Sequence, residues 1–191
     1  MWPWDHAAVA YLLLSAYSRS AWGRPPTRGL AAVGVFAALL PDLIDKPLSW
    51  WLAVLPSGRS LGHSVLVAVP LAMVVLALGA TAGRRHVAAA FVLGHLSHLA
   101  GDVAYPLFVD GELRLGFLFW PVVTADSEGA GGGLPYLGEL IGEFLAVLAT
   151  PGGVLYLVVD AVLLGGAVAV WLFDRRALRE LEPDTSAAGP D

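Results

Sequence analysis

His6, Asp42, Asp45, His63, His95, His98 and Asp102 are ionisable residues set inside or at the edges of apolar segments. Such groups are costly in a membrane unless paired or coordinated, which makes each a functional candidate by default. The chain has no cysteine, so thiolate sites and disulfides are excluded. Imidazole with carboxylate remains, a donor set for a divalent ion, zinc above all. His98 and Asp102 stand at i,i+4 with His95 three positions earlier, so all three share one face of a helix within two turns. Asp42 and Asp45 at i,i+3 offer one ligand and one acceptor behind it. Each residue taken singly also has a plain reading. His95 suits an interhelical hydrogen bond, Asp42 after Pro41 a turn at a helix exit, Asp5 a helix cap, and Asp160 a structural bond inside the last apolar segment. His86, beside Arg84 and Arg85, reads as a surface residue.

The elements that carry these residues are apolar. Of 191 residues 57% are hydrophobic and 14% charged, and the mean hydropathy is +0.70, more than a soluble domain of this length tolerates. No basic patch with interleaved aromatics points to nucleic acid. Met1-Trp-Pro-Trp-Asp-His lacks the basic start of a signal peptide.

Five segments read as membrane crossings: Trp4 to Tyr17, Leu30 to Asp45, His63 to Ala82, His86 to Tyr105 and Gly153 to Phe173. The expected fold is all-α, a multi-pass transmembrane bundle of about five spanning helices plus one interfacial helix, Leu134 to Ala149, whose Glu139 and Glu143 share a face. Between the fourth and fifth segments lies an excursion with acidic Asp110, Glu112, Asp126 and Glu128, and Trp50 and Trp51 suit an interfacial anchor. Residues 1–175 form the expected membrane domain, and 176–191 a polar, disordered tail. Arg19, Arg24, Arg28, Arg84, Arg85, Arg175, Arg176 and Arg179 all fall on one side of such a bundle, against Lys46, Arg59 and Arg114 on the other. The positive-inside rule then places the N-terminus outside the cell membrane and the C-terminus in the cytoplasm. The candidate residues gather at the outer face, brought there by four helix ends.

Asp5-His6, Leu40-Pro-Asp-Leu-Ile-Asp-Lys-Pro, Gly58-Arg-Ser-Leu-Gly-His-Ser, Leu93-Gly-His-Leu-Ser-His-Leu-Ala-Gly-Asp and Phe119-Trp-Pro occur in this order. The set resembles the LexA-binding, inner-membrane-associated metal-dependent hydrolases over residues 5 to 122. That family is distantly similar to zinc-dependent phospholipases C and P1-type nucleases, which hydrolyse phosphoesters with clustered metal ions. The resemblance implies His6, Asp42, His63, His98 and Asp102 as metal ligands, with Asp102 bridging two ions and Arg59 matching the family's arginine. Three positions depart from the pattern. Gly58 stands where the family has His, the carboxylate motif reads Pro-Asp-Leu-Ile-Asp-Lys, and His95 replaces a residue that is often not His.

The chemistry expected is therefore that of one or two Zn²⁺ or similar ions, with Asp45 and His95 in supporting places and Arg59 stabilising charge on a phosphoryl oxygen. The substrate expected is a lipid or head-group phosphoester drawn from the bilayer. Two rival classes are a non-catalytic scaffold with a structural metal, tethering a regulatory protein, and a cation carrier using the same ligands transiently.

Overall fold

The computed structural model describes residues 1–109, 111–123 and 129–181. Asp110, Asp126 and Glu128 of the acidic excursion and residues 182–191 of the tail lie outside them. Six α-helices form among the described residues: α1 Pro3–Trp22, α2 Arg28–Lys46, α3 Val65–Thr81, α4 Arg85–Val109, α5 Gly133–Leu148 and α6 Pro151–Leu181. A π-helical turn, Pro47–Trp51, follows α2, and a 3-10 turn, Gly116–Phe119, precedes α5.

Local chemistry sets the ends. Pro3 opens α1, where its missing N–H is no loss, and the Asp5 carboxylate accepts the Trp2 N–H at 3.0 Å. Gly23, at φ 67°, closes α1 by donating its N–H to the Arg19 carbonyl. Thr27 caps α2 by accepting from the Leu30 N–H, and Ser64 caps α3 by accepting from the Leu66 N–H at 3.1 Å.

α4 is the axis, packed against α1, α2 and α3, while α6 lies on α1 and carries α5. The crossing of α2 and α4 is close because its residues are small: Gly34, Ala37, Ala38, Ala90 and Gly94. A Cβ added at Gly94 would sit 2.1 Å from the Gly34 carbonyl oxygen, so only glycine lets the two backbones meet there. Leu14, Ala37 and Ala90 are fully buried at this level. At one end of α6 a buried carboxylate, Asp174, accepts from Tyr11 Oη at 2.8 Å and Ser15 Oγ at 2.7 Å and pairs with Arg19, clamping α6 to α1.

The expectation of five crossings plus an interfacial helix is overturned. Among the described residues, two helices carry a stretch long and apolar enough to cross a membrane, Arg85–Leu107 in α4 and Gly152–Glu180 in α6. α3 is apolar but only 17 residues long. α1 and α2 have the length, 20 and 19 residues, but not the composition. α1 carries Asp5, His6, Ser15, Ser18 and Arg19, and α2 carries Arg28, Asp42, Asp45 and Lys46. Short apolar runs such as Trp4 to Tyr17 therefore belong to longer, more polar helices that bury Asp5, His6, Ser15, Ser18, Asp42 and Asp45. The two qualifying helices differ in setting. α4 is half enclosed by its neighbours, whereas α6 faces outward along nearly its whole length, with Val154, Leu155, Val159, Val162, Val168 and Phe173 all more than half exposed. α6 also continues through residues 176–181, where the tail was expected to begin.

Candidate metal centre

α1 begins, and α2 and α4 end, at the same end of the bundle, and the loop before α3 closes over them. His6 comes from the first turns of α1, Asp42 and Asp45 from the last turn of α2, His63 from the loop, and His98 and Asp102 from α4. All six are buried, His63, His98 and Asp45 completely. His6, His98 and Asp102 make one cluster able to hold a divalent metal ion, and Asp42, His63 and His98 make a second.

The imidazoles are oriented from behind. His63 Nδ1 lies 2.8 Å from Asp45 Oδ2, and His98 Nδ1 lies 2.6 Å from the Ala38 carbonyl oxygen. Each acceptor calls for N–H on Nδ1, which leaves the Nε2 lone pair facing forward. The two Nε2 atoms are only 2.9 Å apart. Asp42 Oδ1 is 3.5 Å from the first and 3.9 Å from the second, and Asp102 Oδ2 is 3.4 and 3.8 Å from them. An oxygen of Asp42 and one of Asp102 thus each approach both Nε2 atoms, and a tetrahedral ion with donors at ~2.0–2.1 Å would space its donors about 3.3–3.4 Å apart.

Asp45 is itself held: its carboxylate accepts the backbone N–H of Ser60 at 2.7 Å and of Gly62 at 2.8 Å. On the other flank, His6 Nε2 lies 3.1 Å from Asp102 Oδ1, yet no hydrogen bond of usable angle reaches either nitrogen of the buried His6 ring. Its ring stacks on His98 with centroids 3.8 Å apart. The Met1 amine is 3.3 Å from the same Asp102 oxygen.

The electrostatics favour positive charge at the centre of this group. Burial works against a charged His63 ring, but hydrogen bonds with Asp102, Asp42 and Asp45 outweigh it and lift the ring to about 10. Burial likewise pushes the Asp42 carboxyl up, and the bond to His63 with the Lys46 charge more than reverses it, holding Asp42 below the usual carboxylate range. The Lys46 ammonium sits 2.6 Å from Asp42 Oδ2. Sequence reasoning passed over this contact, although the i,i+4 spacing signalled it.

In front of Asp42 and Asp102 lies a cavity of ≈ 420 Å³, lined on this side by Lys46, Ser57, Gly58 and Arg59. The Arg59 guanidinium lies over the Phe117 ring at 5.7 Å. Gly58, where the resembled family has His, lies tight against Trp50. A Cβ there would stand 3.0 Å from Trp50 Nε1, so the indole would have to give way to a side chain.

Two candidates lie apart from the cluster. His95 faces α3 and stacks on Phe91, with neither ring nitrogen hydrogen-bonded, so the interhelical bond expected of it is absent. Asp160 lies beside Asp5 on α1, and Tyr156 Oη donates to Asp5 Oδ2 at 3.3 Å. Burial and a hydrogen bond with Asp160 raise the Asp5 carboxyl to about 6.

Neither the curated proteins nor the solved structures contain a match to this chain. A family model does match, over residues 1–175, and it is described as YdjM inner membrane protein. A chain with two helices fit to cross a bilayer, matched over nearly its whole length, belongs to the YdjM inner membrane protein family and is membrane-associated.

Proposed function

We propose that this chain is a membrane-bound, metal-dependent hydrolase acting on a phosphoester. The observation that carries the reading is the convergence of two back-anchored imidazole lone pairs 2.9 Å apart with Asp42 and Asp102 beside them. Two Nε2 atoms at that separation need a proton or a metal ion between them, and the donors gathered around them are those zinc prefers when thiolates are absent. Asp42, His63 and His98 would hold the ion and leave a position open to water, with Asp102 beside it and shared with His6 in a weaker site alongside. A divalent ion held there would supply Lewis acidity and lower the pKa of a water toward ~7.

The protein's own groups do the rest. Asp45 and the Ala38 carbonyl fix the tautomers and ring angles of His63 and His98. Lys46 and Arg59 line the cavity beside the donors, where they meet an anionic phosphoryl group and stabilise charge that develops on it.

The cavity supports this reading over its rivals. A purely structural metal sits in a closed four-ligand site, whereas Asp42 and Asp102 border a chamber of ≈ 420 Å³. A cation carrier needs a polar path onward, and the buried apolar layer of Leu14, Ala37 and Ala90 lies across it. The same chamber would open to the outer face. Trp22 packs on His86 at 4.4 Å and Arg19 pairs with Asp174, so the arginine-bearing ends of α1, α4 and α6 gather opposite the cluster, as a cytoplasmic face requires.

Metal analysis of detergent-purified protein tests the reading, comparing wild type with His98→Ala and Asp102→Asn. We expect about one tightly held divalent ion per chain in wild type and its loss in both variants, together with loss of phosphoester hydrolysis. A wild-type protein without metal would overturn the proposal.

A further inference from the structure

The cavity lining has two chemistries. Asp42, Lys46, Arg59, Asp102 and Arg114 are charged, and Trp2, Pro3, Trp50, Leu137 and Leu140 are apolar, the last two contributed by α5 and Trp50 adjoining Lys46. At ≈ 420 Å³ it falls toward the lower end of the ~300–1,000 Å³ range of small-molecule sites. It has room for a polar head and the start of a chain, so a longer chain must leave it.

The apolar end is roofed by α5, which has the character of a strap. None of its residues is buried. It is held by ring contacts, Tyr136 against Trp50 with centroids 5.4 Å apart and Phe144 against Trp2 at 4.5 Å. Its leading loop turns through Gly129, Gly131 and Gly133, all at positive φ. A Cβ at Gly129 or Gly132 would come within 2.2 or 2.6 Å of Tyr136, so bare backbone there lets the ring seat. The outer side of α5 carries exposed Leu134, Ile141 and Leu145. The helix therefore has apolar surface towards the cavity and on the adjoining flank, with exposed Glu139 and Glu143 on another face, as suits a segment lying at a lipid surface in a membrane-associated chain.

We infer that the cavity takes a long-chain amphiphile bearing a phosphate, which enters sideways from the bilayer beneath α5. Its phosphate sits before Asp42, Asp102, Lys46 and Arg59, and its chain runs along Trp50, Leu137 and Leu140. The placement of the phosphate rests on the hydrolase reading. The path of the chain rests on the lining and on α5. A water-soluble phosphoester uses only the polar end and leaves Leu137 and Leu140 uncovered.

Because the chain has no cysteine, Leu140→Cys provides a unique thiol at the apolar end. Purified protein in nanodiscs would be labelled with a water-soluble maleimide in the presence of dodecyl phosphate or glycerol phosphate, and metal content measured in the same preparation. We expect dodecyl phosphate at about ten times its Kd to slow labelling roughly tenfold by mass action, and glycerol phosphate to leave it unchanged. Leu134→Cys, on the outer side of the same helix, should respond to neither, and Leu137→Cys repeats the test should Leu140→Cys fold poorly. Equal effects of the two phosphates, or equal protection at residue 134, would overturn the amphiphile site. Absence of metal with chain-dependent protection intact would sink only the hydrolase reading, and bound metal without such protection only this one.

Discussion

Asp45 separates what residue types announce from what geometry adds. Its spacing from Asp42 marked it as an acceptor behind a ligand, and it lies against His63 Nδ1 while taking two backbone N–H groups. Asp45→Asn keeps the shape and removes the charge that fixes the tautomer. Metal affinity should fall about 10–100-fold with the fold retained, as read by competition titration against a chelator, and an unchanged affinity would remove Asp45 from the centre. His63 adds a pH dependence. With its ring raised to about 10 in the metal-free protein, it is protonated at neutral pH, and a metal must displace that proton. Affinity should therefore drop about tenfold for each pH unit below about 10, with proton release on binding. Calorimetry in buffers of different ionisation enthalpy would check this, and affinity independent of pH would contradict it. The convergence was legible for His6, Asp42 and His63 because they stand at or beside helix ends, whereas His98 and Asp102 lie inside α4, which runs on to Val109, and were legible from their i,i+4 spacing. The pairing of Asp160 with Asp5 was not, since the two are joined only by the packing of α6 on α1.

At the scale of elements, the α2–α4 crossing sets the distance between Asp42 and His98, and Gly94 against Gly34 sets the crossing. Gly94→Ala would push its Cβ into the Gly34 carbonyl, separate the helices and cost on the order of 1–3 kcal/mol. Gly165→Ala on α6 meets nothing within 4 Å and should be neutral, or stabilising by up to ~1 kcal/mol through helix propensity. Thermal unfolding in detergent would compare them, and metal affinity should weaken only in Gly94→Ala. Equal stability of the two variants would show that the crossing is not tight. That six helices form, and roughly where, could be read from apolar runs and their breakers. Which of them can cross a membrane could not be read from the runs alone. Trp4 to Tyr17 and Leu30 to Asp45 looked like short crossings because their flanking polar residues were treated as ends. Those residues instead lie within the helices, where Lys46 turns toward the metal cluster and Arg19 toward the Asp174 clamp, while Arg28 stays exposed. Asp174 itself went unremarked, since beside Arg175 and Arg176 it reads as part of a charged helix end.

For the whole molecule, the question is what covers the outward side of α6. Its apolar side chains have few protein neighbours, and Val162 is 70% exposed. Leu113, in the segment before the 3-10 turn, is 59% exposed, so a soluble protein would accept arginine at either position with little change. A bilayer would not treat the two alike. Val162 lies near the middle of the apolar stretch Gly152–Glu180, where arginine costs about 2.5–3.5 kcal/mol on insertion scales, while Leu113 is in an irregular segment rich in charge. Val162→Arg should therefore lower the yield of membrane-integrated protein severalfold, whereas Leu113→Arg should leave it unchanged, measured as the fraction that stays with the membrane after alkaline extraction. The family assignment already associates the chain with the inner membrane; the paired variants ask whether α6 is embedded in it. If both extract alike, α6 is not covered by lipid, and a protein partner must cover it instead.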